Sequence, residues 1–181
     1  MKICLVRHGE AVKTETDIIL TKEGKKQAKH IGKRLSSLQI DRVYVSTATR
    51  AQETFQAYAQ FKPQILAVHT PEIEEIYRTL VGGPPKKGTP QNRERKDKLR
   101  MESFLKKLLL LPKHENILVF THGNVICYLI ATALRLNKTG VWEKLMINPG
   151  SLSLLELHNK TLYVTMINSI EHLPKKDKEA F

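Results

Sequence analysis

Ile3-Cys4-Leu5-Val6-Arg7-His8-Gly9-Glu10 is the stretch that decides how this chain reads: four continuous apolar residues, then an arginine, a histidine, a glycine and a carboxylate. An uninterrupted apolar run predicts a strand covered on both faces by helices. Charged and polar side chains directly after such a strand are costly to bury unless they line a polar cleft, and Gly9 lets the backbone pass close to a ligand. Far downstream, Ile117-Leu118-Val119-Phe120 runs into Thr121-His122-Gly123-Asn124 and repeats the pattern. Ligands gather beyond the carboxyl ends of strands in open α/β sheets, so the two strand-end histidines are expected to share one crevice. The other five histidines, His30, His69, His114, His158 and His172, carry no such context and read as ordinary surface or core residues.

A third strand, Val43-Tyr44-Val45, leads into Ser46-Thr47-Ala48-Thr49-Arg50-Ala51. Its hydroxyl residues can cap a following helix, which puts Arg50 near the helix N-terminus, where charge and dipole both favour an anion.

Taken together, Leu5-Val6-Arg7-His8-Gly9-Glu10, Thr21-Lys22-Glu23-Gly24 through Ala28, Ser46 with Arg50-Ala51 and Thr54, Thr121-His122-Gly123, and Asn148-Pro149-Gly150-Ser151 resemble, in order, the motifs of the histidine phosphatase superfamily, the phosphoglycerate mutase-like proteins. The ordered motifs and elements span residues 2 to about 167. The resemblance implies a three-layer α/β/α fold with a mostly parallel central sheet, and a cofactor-independent phosphatase working through a phosphohistidine.

Residue chemistry agrees with that expectation. Attack on a phosphate ester needs a nucleophile, positive groups around the non-bridging oxygens and an acid for the leaving oxygen. His8, as a neutral imidazole, can attack phosphorus if its other ring nitrogen is held by a backbone carbonyl such as that of Gly9. Arg7 and Arg50 can clamp the phosphoryl oxygens in bidentate fashion, each contact contributing on the order of 2–4 kcal/mol in the transition state. His122, protonated against the phosphate's charge, completes the pocket, with Gly9, Thr14, Ser46 and Gly123 as expected substrate-binding residues. In the family the acid is a glutamate beyond the third strand. Here Ile65-Leu66-Ala67-Val68 precedes Glu72-Ile73-Glu74-Glu75, and the family-like spacing selects Glu75, with Glu74 the alternative. Tyr77-Arg78-Thr79-Leu80 stands where mutase and sugar-phosphatase branches carry a different motif.

Ten residues, Ala11 to Leu20, separate Glu10 from Thr21. That short connection resembles the phosphohistidine phosphatase branch and predicts an open site, suited to a phosphate carried on a large partner.

The remaining elements alternate. Helices are predicted over 22–38, 49–60, 91–111 and 124–136, with Thr21 capping the first, and a hairpin pairs Leu152–Leu157 with Thr161–Met166. Val81 to Pro90 is rich in Gly and Pro and reads as a flexible loop able to cover the site. The expected organisation is one domain, 1–171, and a polar tail, 172–181. No apolar run approaches the roughly 18 residues of a membrane span, and the opening apolar run is too short for a secretory leader, so a cytoplasmic protein is expected. Cys4 and Cys127 lack metal-ligand spacing and read as buried free thiols; no metal is expected.

Thirty Lys and Arg against 18 Asp and Glu give a net charge of +12. Much of the excess lies in Lys86-Lys87, Arg93, Arg95-Lys96, Lys98, Arg100 and Lys106-Lys107, read either as solvated helix faces or as a field steering phosphorylated or acidic partners. Two other functions fit parts of the sequence: a phosphoglycerate mutase-type transferase, and a basic nucleic-acid or acidic-protein binding module with a decayed site. Only 6% of residues are aromatic, with no stacking pattern among the basic residues, which weighs against nucleic acid.

Overall fold

The computed structural model describes residues 1–90, 92–138 and 140–174. A six-stranded sheet forms its centre, built from β1 (Lys2–Arg7), β4 (Arg42–Ser46), β5 (Ala67–Thr70), β6 (Asn116–Thr121), β7 (Leu152–His158) and β8 (Thr161–Ser169), in the order β5-β4-β6-β1-β7-β8. The first four strands in that order pair in parallel, and β7 and β8 pair antiparallel at one edge. Helices α1 (Lys22–Ser36), α2 (Thr49–Ala59), α3 (Arg93–Leu110), α4 (Gly123–Ala133) and the single turn α5 (Val141–Lys144) supply the crossovers and cover.

Strand alternation explains the three layers. In β1, Ile3 and Leu5 join a core with Met101, Phe104 and Ile126 from α3 and α4, while Cys4 and Val6 join Ile31, Leu35 and Tyr58 from α1 and α2. β6 divides in the same way, Ile117 and Val119 against Leu118 and Phe120. Both faces are therefore apolar, which is why these strands read as unbroken hydrophobic runs.

Helix α1 begins as expected, with the Thr21 hydroxyl accepting from Gly24 N at 3.0 Å. The hydroxyl cap expected for α2 is absent: Ala48 is the capping residue and makes no side-chain bond, because Ser46 is drawn inward instead. The short Glu10–Thr21 connection is a small hairpin, β2 (Ala11–Lys13) with β3 (Ile18–Leu20). Of the segment read as a tail, His172 Nε2 lies 3.0 Å from the Gly150 carbonyl and Leu173 is buried; residues 175–181 and Gln91, the expected start of α3, lie outside the described residues.

Candidate active site

Register places the site. β1 and β6 pair from Lys2↔Asn116 to Arg7↔Thr121, so His8 and His122 leave adjacent parallel strands at the same level. Their rings stand 5.1 Å apart, edge to face. β4, on the other side of β6, ends at Ser46 beside them. His8 N donates to Thr121 O at 3.1 Å, and His8 O accepts from Gly150 N at 2.9 Å, fixing the backbone from both neighbours.

The loop after β1 is set by two glycines. A Cβ on Gly9 would collide with the Gly24 carbonyl, and one on Gly24 with the Glu10 carbonyl, so the loop lies directly on the first turn of α1. Gln27 Oε1 accepts from Glu10 N at 2.8 Å, and Thr54 Oγ1 from Gly9 N at 3.2 Å, completing the cradle.

His8 is buried, with Nδ1 2.7 Å from the Gly9 carbonyl. A carbonyl only accepts, so Nδ1 carries the proton and the Nε2 lone pair is exposed to the site. Arg50 Nε donates to that lone pair at 3.0 Å. Burial, reinforced by Arg50 and Arg7 against the opposing Gly9 bond, pushes the His8 pKa down to about 3, so the ring is neutral at any ordinary pH.

His122 is fully buried, and burial together with His8, Arg50, Arg100 and Arg7 drives its pKa well below the ordinary value. That direction favours a neutral imidazole, whereas the sequence reading protonates it against a phosphate's charge. Its Nε2 lies 2.8 Å from Ser46 Oγ, which itself accepts from Ala48 N at 3.3 Å. With the bond from Ala48 N taking one lone pair, the Ser46 hydroxyl is free to donate to Nε2, and in that tautomer the N–H is at Nδ1, which has no partner among the described residues. A neutral His122 still offers one donor to a phosphoryl oxygen.

Arg7 hydrogen-bonds the Ile147 carbonyl through Nη1, while its buried Nε has no partner among the described residues. Burial lowers the pKa of both Arg7 and Arg50, and the Glu75 carboxylate counteracts it. Gly123 lies flat on the Arg7 guanidinium, where an added Cβ would stand 3.5 Å from Cζ.

The two candidate acids separate. Glu75 sits at the start of α4, with Oε1 accepting from Asn124 N at 3.1 Å, and burial pushes its pKa up to about 7 despite Arg7 and Arg50. Glu74 instead accepts from the Thr47 hydroxyl. Glu75 belongs to a segment pinned by Thr121 Oγ1, which donates to Ile73 O at 2.7 Å.

Sequence reasoning missed what holds that segment from α3. Arg100 donates through Nη1 to the carbonyls of Pro71, Glu72 and Glu74 at 3.0, 3.0 and 2.7 Å, and through Nη2 to that of Glu75 at 3.0 Å. The buried Asp97 orients it at 2.9 Å, binds Arg93 at 2.8 Å and accepts from Tyr77 N at 2.8 Å. Arg93 and Arg100, read as surface charge, are thus a scaffold, and Lys107 pairs with Glu72 at 2.8 Å. An aspartate at three- and four-residue spacing from two arginines is the signal that was present.

Thr14 is not brought to the histidines by any contact of its own. Its hydroxyl is committed to Asp17, donating to the carbonyl and accepting from N, each at 3.0 Å. The hairpin reaches the site through Asp17, which accepts from the Thr49 hydroxyl at the start of α2. Among the described residues no group of three His, Cys, Asp or Glu is placed to hold a metal ion, and no helix is long and apolar enough to cross a membrane.

The family model described as histidine phosphatase superfamily (branch 1) matches residues 3–98 and 77–170. This chain belongs to that superfamily. Among curated proteins it is similar to "Serine/threonine-protein phosphatase PGAM5, mitochondrial" of Xenopus tropicalis, 30% identical over 191 aligned positions covering 95% of this chain and 66% of that protein. It is also similar to "Probable phosphoglycerate mutase GpmB" of Serratia proteamaculans, 28% identical over 75% of this chain and 76% of that one. The chain spans between 43% and 66% of the first four such relatives. Two solved structures share the fold: Bacillus stearothermophilus YhfR, with TM-score 0.79 and 20% identity, and a phosphoserine phosphatase mutant of Entamoeba histolytica in complex with phosphoserine, with TM-score 0.77 and 21% identity. Each alignment covers 96% of this chain and 99% of the other. The three-layer α/β/α fold with its mostly parallel sheet is therefore that of this superfamily.

Proposed function

We propose that this member of the histidine phosphatase superfamily is a cofactor-independent phosphomonoester hydrolase that works through a phosphohistidine on His8. One observation carries the reading: Nδ1 of His8 is tied to the Gly9 carbonyl, so the nucleophilic lone pair is on Nε2 and faces Arg50.

In the first step the Nε2 lone pair attacks phosphorus, the P–O ester bond breaks, and its electron pair leaves with the ester oxygen. Glu75, half-protonated near pH 7, gives that oxygen its proton. Arg7, Arg50 and the Nδ1–H of His122 hold the three non-bridging oxygens, and the partnerless Arg7 Nε and His122 Nδ1 supply unfilled donors for them. In the second step the Glu75 carboxylate takes a proton from water as the oxygen attacks phosphorus. The P–N bond breaks, its electrons return to Nε2, and inorganic phosphate departs.

The short β2–β3 hairpin favours an open site, accessible to a phosphate on a large partner as well as on a small molecule. The names of the curated relatives include both a protein phosphatase and a mutase. Hydrolysis is favoured over mutase-type transfer because the short β2–β3 connection leaves the intermediate open to water. The buried free thiols, Cys4 and Cys127, suit a reducing compartment, and we propose the cytoplasm.

The test is a single-turnover reaction with a labelled phosphomonoester, quenched in base and followed by mass spectrometry. An acid-labile phosphoryl group on His8, lost in His8→Ala together with phosphate release, is the expected result. Label on another residue, turnover surviving His8→Ala, or isomerised phosphoglycerate in place of free phosphate overturns the proposal.

A further inference from the structure

Beside the phosphate seat lies a cleft of about 370 Å³, within the range of small-molecule sites. Its two walls differ in chemistry. Arg7 and Glu75 form the catalytic wall, with Gly123 and Asn124. The rest of the lining, its far wall, is Cys127 of α4 with Trp142, Glu143, Leu145, Met146 and Ile147 of α5 and the residues after it, and Glu143 alone among these is charged.

The far wall is a built surface. The Trp142 ring has Gly83 flat against it, where a Cβ would stand 2.9 Å from the ring, and the Arg78 guanidinium lies 5.4 Å from its centroid. Arg78 is in turn held by the Pro84 carbonyl at 2.6 Å. Supported from that side, Trp142 is still 38% exposed, and Met146, which lines the same cleft, is 66% exposed. Cys127 contributes no nucleophile: its thiol donates to the Leu145 carbonyl at 3.4 Å, and burial pushes its pKa up to about 12.

We infer that this cleft seats the leaving group, and that it selects phosphomonoesters whose ester oxygen is borne on an apolar, ring-bearing body over esters of polyols and sugars. This rests on the phosphatase reading above and deepens it. With the phosphoryl group between His8 and the two arginines, the ester oxygen must reach the Glu75 carboxyl, which directs the rest of the molecule into the cleft that Glu75 lines. An apolar ring is there removed from water against Trp142 and Met146. A polyol would give up its hydration against carbon and sulfur with no hydrogen bonds in return. The cleft opens to solvent at Met146, so the ring can belong to a small molecule or to a phosphorylated side chain of a protein.

Benzyl phosphate and glycerol 1-phosphate are both alkyl esters, so their comparison separates fit from leaving-group acidity. The expected result is at least a tenfold higher kcat/KM for benzyl phosphate, arising in KM, with the ratio falling towards one in Trp142→Ala and in Met146→Lys, the second an exposed position that folding tolerates. A phosphotyrosyl peptide against a phosphoseryl peptide asks whether a protein-borne ring is taken equally well. Trp142 is the only tryptophan, so its fluorescence reports occupancy without turnover: benzylphosphonate should change it at concentrations at least tenfold below inorganic phosphate. Turnover with no preference for the ring in either arm, and no difference between the phosphonate and phosphate titrations, overturns the inference while leaving the phosphatase standing. Fluorescence selectivity with no turnover of any ester sustains the cleft and refutes the phosphatase.

Discussion

Replacing Glu75 by Gln should make the protein more stable, and only above a defined pH. Burial raises the Glu75 pKa from 4.5 to about 7. At about 1.4 kcal/mol per tenfold change in proton affinity, holding the ionised carboxylate in the folded state costs about 3 kcal/mol. The sign follows from linkage: the folded chain binds the proton more tightly than the unfolded chain, so the penalty is absent below pH 4.5, grows as pH rises, and is complete above the folded pKa near 7. Glu75→Gln removes the titration while keeping an oxygen to accept from Asn124 N. Urea unfolding in phosphate-free buffer should show the variant nearly equal to the parent at pH 4.5 and about 3 kcal/mol more stable at pH 8. Thermal midpoints at pH 8 should rise by roughly 6–12 °C at 2–4 °C per kcal/mol for a chain of this size. An equal gain at both pH values, or none at pH 8, would refute the assignment of a burial-raised carboxyl. The stabilised variant should also lose about 10²–10⁴-fold in kcat/KM on alkyl esters, with a far smaller loss in kcat/KM on p-nitrophenyl phosphate, whose leaving group needs no acid, while kcat falls on both because the second step takes its base from Glu75.

Steady-state kcat/KM on an alkyl ester should fall as pH rises through about 7, where Glu75 loses its proton, and Glu75→Gln should abolish that limb; a parent profile flat to pH 9 contradicts the acid role. Arg100→Met should release the carbonyls of residues 71–75 and lower alkyl-ester kcat/KM at least tenfold while sparing kcat/KM on p-nitrophenyl phosphate, with Arg100→Lys partly restoring it. Equal losses on both esters would make Arg100 merely structural. Ser46→Ala removes the hydroxyl bonded to His122 Nε2, and about a tenfold loss in kcat with circular dichroism unchanged is expected; full activity would show that this bond does not position His122 for the reaction. Gly24→Ala, favourable in an ordinary helix, should destabilise by about 1–3 kcal/mol through collision with the Glu10 carbonyl, read as a lower urea midpoint.

Much of the site was legible because it follows strands that announce themselves. Residues 3–6 and 117–120 are apolar on both faces, so their ends, and the side chains just beyond, could be placed without coordinates. Arg50 was legible for a related reason, standing one helical residue after a strand-to-helix turn. Less legible was anything set by pairing across elements. Arg100 and Arg93 looked like a solvated basic face because, beyond Asp97, their acceptors are backbone carbonyls, which no composition reveals. The protonation of His122 depends on burial and on positive neighbours distant in sequence. Ser46 has a capping residue's chemistry, yet its hydroxyl goes to His122. The choice between Glu74 and Glu75 rested on family-like spacing alone; what separates the two is the Asn124 N–H at the start of α4 for one and the Thr47 hydroxyl for the other, both far away in sequence.

The ladder between β1 and β6 sets the level at which the two imidazoles stand, and it does so through six residue pairs of main-chain register. Whatever is inserted between Gly82 and Pro90, or exchanged in α5, changes what reaches the phosphate and not how the phosphate is gripped. Selectivity and reactivity are thus separately editable in this molecule. A graft of the cleft's far wall should transfer taste for a substrate without retuning the nucleophile.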